Sequence, residues 1–97
     1  MPTIRIQRPH RLSLGEVRGK AESIARRIEQ RHAVRWTWQG DSIELTAPAG
    51  LASGARGRVT IGAGDVAVEI HLPLALYPAR GMVERRITEK LDAILGA

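Results

Sequence analysis

The chain has 97 residues, the length of one domain, and we expect a single α+β domain over residues 1–97. It contains no cysteine, which excludes disulfides and thiolate metal sites. The net charge of +5 comes from 15 basic and 10 acidic residues. These charges are spread along the chain without a basic block, so we expect solvated surfaces and no useful binding to nucleic acid.

The first residues, Met1-Pro2-Thr3-Ile4, lack the apolar core of a signal peptide. The longest apolar run, residues 72–77, is interrupted by Pro73 and is far too short to span a bilayer. We therefore expect a cytoplasmic protein.

The first part of the chain predicts a strand and then a helix. Residues 3–8 alternate between apolar and polar side chains, which is typical of a half-buried strand. Ser13 and Glu16 have the spacing of a capping box, and the helix after them is predicted to reach about His32. Its apolar stripe comprises Leu14, Val17, Ala21, Ile24, Ala25 and Ile28. The opposite side, with Glu16, Lys20, Glu22, Arg26 and Arg27, is expected to be solvated.

The next segment predicts a β-hairpin. Trp36 and Trp38 alternate with polar residues, Ile43 and Leu45 do the same, and Gly40-Asp41 between them suits a two-residue turn of type II′. This register places Trp38 opposite Ile43 and Trp36 opposite Leu45.

The rest of the chain completes the order β-α-β-β-β-β-α. We predict a small-residue loop at 48–55, strands at 56–61 and 66–72, an apolar connector at 72–78, and a helix at 79–95. Strands joined by successive hairpins form an antiparallel sheet, and we expect both helices to pack on its one apolar face.

These residues resemble a known family. Arg8-Pro9-His10 after a short strand, the run Arg35-Trp36-Thr37-Trp38-Gln39-Gly40-Asp41 and Gly57 before a strand are similar to the polyhydroxyalkanoic acid system family. That resemblance implies a bacterial context of storage-polyester synthesis and granules, and it carries no residue role. The order of elements also resembles a shortened helix-grip domain, whose larger relatives hold apolar ligands between helix and sheet.

We predict no catalytic residue, cofactor or metal site. Ser53 lies in a small-residue loop with the wrong spacing for a nucleophile elbow. The histidines, His10, His32 and His71, share no ligand spacing with one another or with a carboxylate. His32 is expected to interact with the terminal carbonyls of its helix.

Two sets of apolar residues remain as candidate contact sites. Trp36 and Trp38 either pack in the core or line a ligand pocket between sheet and helices. Leu74, Leu76, Tyr77 and Met82 lie outside the stripe of the last helix. They either close the core or form a contact patch for a partner. The outer sheet face, with Arg5, Arg35, Arg56 and Arg58 beside Glu44 and Glu69, is expected to form cross-strand ion pairs.

The sequence thus favours a non-enzymatic accessory protein of storage-polyester metabolism or granules that acts through apolar contacts at the connector and last helix. The partner would be a granule-associated protein, the granule surface or a second copy of the chain. The alternative is a small domain that binds an apolar ligand, such as an acyl chain, between sheet and helices.

Overall fold

The computed structural model describes residues 3–31, 34–47 and 54–96. The elements in chain order are β1 (Thr3–Pro9), α1 (Leu14–Arg31), β2 (Arg35–Gln39), β3 (Ser42–Thr46), β4 (Arg56–Ile61), β5 (Asp65–His71), a 3-10 helix (Leu74–Ala79) and α2 (Arg80–Leu95). This order is the predicted one. Residues 48–53 and His32 lie outside the described residues. The predictions for Ser53 and for the end of the first helix at His32 therefore stay predictions.

The five strands form one antiparallel sheet in the order β1-β5-β4-β3-β2. The predicted hairpin register is confirmed, with Trp38 paired to Ile43 and Trp36 paired to Leu45. Gly40 in the turn has a φ of 62°, a left-handed conformation that glycine adopts without steric cost.

Both helices run along the sheet, in opposite directions. The backbone N–H of His10 donates to the carbonyl of Gly64, so β1 ends and α1 begins beside the β4–β5 turn. The β2–β3 turn lies at this same end, where the N–H of Ile61 donates to the carbonyl of Asp41. Arg8 pairs with Asp92 late in α2, so α2 returns from the connector to this end. We call it the turn end, and the opposite end the connector end.

The core lies between the sheet and the helices, as predicted. The buried apolar side chains that form this core cluster are Ile4, Ile6, Val17, Ala21, Ala25, Ile43, Ile61, Val66, Val68, Leu72, Leu91 and Leu95. Side chains at alternate strand positions supply the sheet's part of this core, because a period of two places them on one face. Leu14, predicted on the buried stripe of α1, is instead 44% exposed, since it is the first residue of the helix.

Local signals fix the helix ends. Ser13 Oγ accepts a hydrogen bond from the N–H of Glu16 at 3.2 Å, and its hydroxyl donates to the Glu16 carboxylate at 3.1 Å. These contacts satisfy a helix-terminal donor that would otherwise lack a partner. Gly96 ends α2 with a φ of 72°, as a left-handed C-cap does.

Candidate functional site

The connector (residues 72–78) and the start of α2 carry an exposed apolar surface. Leu74 is 79% exposed, Met82 is 51% exposed and Tyr77 is 39% exposed. We call these three residues the connector patch. Leu76 differs from these three residues: its side chain is half-buried and packs against the core. The structure therefore divides the four predicted contact residues into three surface residues and one at the border of the core.

Short-range contacts stiffen the segment that carries the connector patch. Pro73 precedes the 3-10 helix with a φ of −65°, and its carbonyl accepts a hydrogen bond of 2.9 Å from the N–H of Leu76. Pro78 lies inside this helix. The guanidinium of Arg80 is 4.5 Å from the ring centre of Tyr77 and donates to its hydroxyl at 2.6 Å. Proline and these contacts restrict the conformations of the segment.

A second feature is an apolar cleft over the middle of the sheet. The cleft has a volume of about 220 Å³ and its lining surface is apolar. Ile24 and Ile28 of α1 line one wall, and Ile87 and Ile94 of α2 line the other. The floor includes Val59, Val66, Val68 and Ile70 of the sheet. Helix α1 packs over β2 and β4 while α2 packs over β1, so the cleft occupies the space between the helices.

A groove between the two helices adjoins the cleft and is basic. It is lined by Lys20 and Arg27 of α1 and by Lys90 of α2, together with Ser23. Glu16, the acid in this groove, already contacts Ser13 at the helix start. Ile24, Lys90 and Ile94 line both the cleft and the groove, so the two adjoin each other.

The tryptophans lie elsewhere. Neither Trp36 nor Trp38 is among the described residues that line the cleft, and both are half-buried against the core. The Trp38 indole N–H donates to Glu22 at 2.9 Å, and the Arg18 guanidinium lies 4.1 Å from its ring centre. The Trp36 indole nitrogen is buried and has no hydrogen-bond partner in the described part of the chain. The tryptophans thus serve here to join the hairpin to α1 and the core.

The Arg8-Pro9-His10 motif joins the first strand to neighbouring elements. His10 is 8% exposed; its Nδ1 accepts from the N–H of Leu12 at 3.2 Å and its Nε2 lies 2.8 Å from the carbonyl oxygen of Gly62. With Nδ1 as an acceptor, the ring proton is assigned to Nε2, which donates to Gly62. Arg8 Nε donates to Asp92 at 3.1 Å. The motif therefore holds the turn end together.

The outer sheet face is polar, as predicted. Arg5 pairs with Glu69 at 3.4 Å and Arg58 pairs with Glu44 at 2.6 Å across neighbouring strands. Among the described residues, Arg35 and Arg56 have no ion pair. The aromatic residues of the hairpin project to the helix side, so this face offers no aromatic platform for base stacking.

Within residues 3–31, 34–47 and 54–96, no group of three or more His, Cys, Asp or Glu side chains is placed to hold a metal ion. Over the same ranges, neither helix has the length and apolar character that crossing a bilayer requires.

Comparison with known proteins places this chain in a family. No curated protein and no solved structure matches the chain. The family model described as polyhydroxyalkanoic acid system protein matches residues 4–95, nearly the whole chain. The chain belongs to the polyhydroxyalkanoic acid system protein family.

Proposed function

We propose that the protein is a non-enzymatic accessory of storage-polyester metabolism that attaches to the polyester granule surface through the connector patch. The observation that carries this proposal is Leu74, a large apolar side chain that is 79% exposed on a proline-stiffened segment. The family supplies the polyester system as the setting. A granule surface supplies the apolar material that such a patch would contact.

The energetics of an apolar contact suit this role. Each large apolar side chain removed from water contributes on the order of 1.5–3 kcal/mol. Pro73 and Pro78 limit the freedom of the segment before binding, so less conformational entropy is lost on contact. Tyr77 adds a ring whose hydroxyl oxygen accepts a hydrogen bond from Arg80, so this acceptor keeps a partner when the ring is buried.

A sedimentation assay with purified protein and polyhydroxyalkanoate particles tests the proposal. We expect the wild-type chain to sediment with the particles at low salt and equally well at about 1 M salt, because apolar contacts are not screened. The double variant Leu74→Ser/Met82→Ser should remain in the supernatant.

Leu14→Ser is the matched control. It removes another large, 44% exposed apolar side chain, but from the start of α1 at the turn end. The control should sediment like the wild type. Sedimentation of the double variant with the particles, or equal loss for Leu14→Ser, would contradict a specific role of the connector patch.

Imaging in polymer-accumulating cells distinguishes the granule surface from a granule-associated protein. If the connector patch is needed for recruitment in cells but the purified protein does not bind bare particles, the partner is a protein and the direct-surface proposal is wrong. If both assays depend on the connector patch, the polyester surface suffices as the partner.

A further inference from the structure

We propose that the cleft and the basic groove together form a binding site for a medium-chain carboxylate, with the acyl chain in the cleft and the anionic group in the groove. This site lies between α1 and α2 and is separate from the connector patch. The inference therefore stands independently of granule attachment.

The cleft is large enough for a chain of defined length. An engineered apolar cavity of about 150 Å³ holds benzene, a molecule of six carbons. By the same proportion, the volume of about 220 Å³ corresponds to roughly eight or nine carbons. Longer chains would leave carbons in water, and much shorter chains would leave apolar wall uncovered.

The walls suit an acyl chain and no polar molecule. Ile24, Ile28, Ile87 and Ile94 face the space from both helices, and the valines of the sheet lie below them. An apolar space of this kind offers a polar ligand no hydrogen bonds to replace those it makes with water. A chain in the cleft also provides contacts that the unfilled walls lack.

The groove supplies the complementary charge. In the described part of the chain, Lys20, Arg27 and Lys90 have no ion pair, so no carboxylate contact neutralises these groove cations. Lys20 and Lys90 are the two lysines of the sequence, and both line this groove. The cations thus exceed the acid, Glu16, by three to one around a groove that adjoins an apolar space.

Lys90 connects the two halves of the site, because it lines both the cleft and the groove. A lysine can lay its aliphatic stem along apolar surface while its ammonium group stays in water. This arrangement fits the junction between an acyl chain and its carboxylate.

Titration calorimetry of the full chain with octanoate, butyrate and 1-octanol tests the site. Each methylene buried from water strengthens binding about fourfold, so octanoate should bind at least tenfold more tightly than butyrate. 1-Octanol, which lacks the negative charge, should bind about fivefold more weakly than octanoate. Equal affinities for octanoate and butyrate, or no saturable binding of octanoate, would overturn the proposal.

Two variants locate the binding. Ile87→Trp fills the cleft and should abolish octanoate binding, and circular dichroism confirms that the variant folds. Lys90→Glu changes an exposed residue and should weaken octanoate binding about tenfold while weakening 1-octanol binding much less, because only octanoate carries a charge. Its control is Arg85→Glu, an equal change of charge on an exposed position of α2 that lines neither the cleft nor the groove.

If Arg85→Glu weakens octanoate binding as much as Lys90→Glu does, the affinity depends on the net charge of the protein and the proposed site is wrong. The result is also separable from granule attachment. Octanoate binding should persist in Leu74→Ser/Met82→Ser, whatever that variant does on polyester particles.

Discussion

The indole N–H of Trp38 donates a hydrogen bond of 2.9 Å to the carboxylate of Glu22, which joins the β2–β3 hairpin to α1. Arg18, one turn earlier in α1, covers the same ring at 4.1 Å and pairs with Asp41 in the hairpin turn at 3.0 Å. A tryptophan on an edge strand is thereby held by two charged side chains of one helix. The contact satisfies the indole donor that partial burial would otherwise leave without a partner.

Replacing Glu22 with alanine should lower the free energy of unfolding by about 1 kcal/mol, because the Trp38 donor loses its acceptor. Glu22 also pairs with Arg26 at 3.2 Å, so Arg26→Ala is the control that removes only the ion pair. That control should cost less than about 0.5 kcal/mol, as exposed helix pairs do. Urea titrations of both variants measure the difference, and equal losses would show that the Trp38 hydrogen bond contributes nothing.

The hairpin that carries Trp38 could be predicted from sequence because its signals are local. Strict alternation and a glycine-first turn determine which residues face each other, and Trp38 duly pairs with Ile43. The contact with Glu22 could not be predicted in the same way. The sequence pattern predicts a solvated polar side for α1, but Glu22 on that side is half-buried and accepts a hydrogen bond from Trp38. The packing angle of helix on sheet decides which polar residues meet the hairpin, and a sequence pattern does not give that angle.

The sequence allows a pocket between sheet and helices as an alternative, but it offers Trp36 and Trp38 as lining residues, and neither lines the cleft among the described residues. Ile24 and Ile28 fit the apolar stripe of a helix, and Ile87 and Ile94 fit the stripe of another. Periodicity shows that such residues avoid water, but it does not show how far apart two helices lie. The buried positions of α1 include the small residues Ala21 and Ala25, while the larger isoleucines stand beside the cleft. The space between these walls depends on the distance between the two helices, which is a property of the tertiary structure and not of either helix alone.

His10→Ala should destabilise the protein by about 2 kcal/mol or more. The substitution leaves the N–H of Leu12 without its acceptor and the carbonyl of Gly62 without its donor at a buried position. Each unsatisfied buried group costs about 1–3 kcal/mol. Arg11→Ala, at the exposed neighbouring residue, should change stability by less than about 0.5 kcal/mol. Thermal unfolding of both variants checks this, and a His10 variant as stable as the Arg11 variant would contradict it.

Alanine at Arg35 or Arg56 should leave the free energy of unfolding within about 0.5 kcal/mol of the wild type, because both side chains are exposed and form no ion pair with a described residue. Arg58→Ala should cost at most about 1 kcal/mol, since its pair with Glu44 is solvated, with the arginine side chain 59% exposed. The small loss for Arg58 should shrink further at high salt. Denaturant titrations at two salt concentrations provide the measurement, and a loss of several kcal/mol would mean that this face is buried.

Leu74→Ser and Leu76→Ser should have opposite effects on stability and attachment, although the two residues are almost adjacent in the chain. Leu74 is 79% exposed, so its serine variant should keep the wild-type melting temperature while weakening sedimentation with polyester particles. Leu76 packs against the core, so its serine variant should lose about 2 kcal/mol and melt roughly 10 °C lower.

The folded fraction of Leu76→Ser should still sediment with the particles, because Leu74, Tyr77 and Met82 all remain in that variant. Melting curves and sedimentation of the same two preparations therefore separate a structural role from a contact role within one segment. If Leu74→Ser melts as early as Leu76→Ser, then Leu74 contributes to the core, and the connector patch would have to be reduced to Tyr77 and Met82.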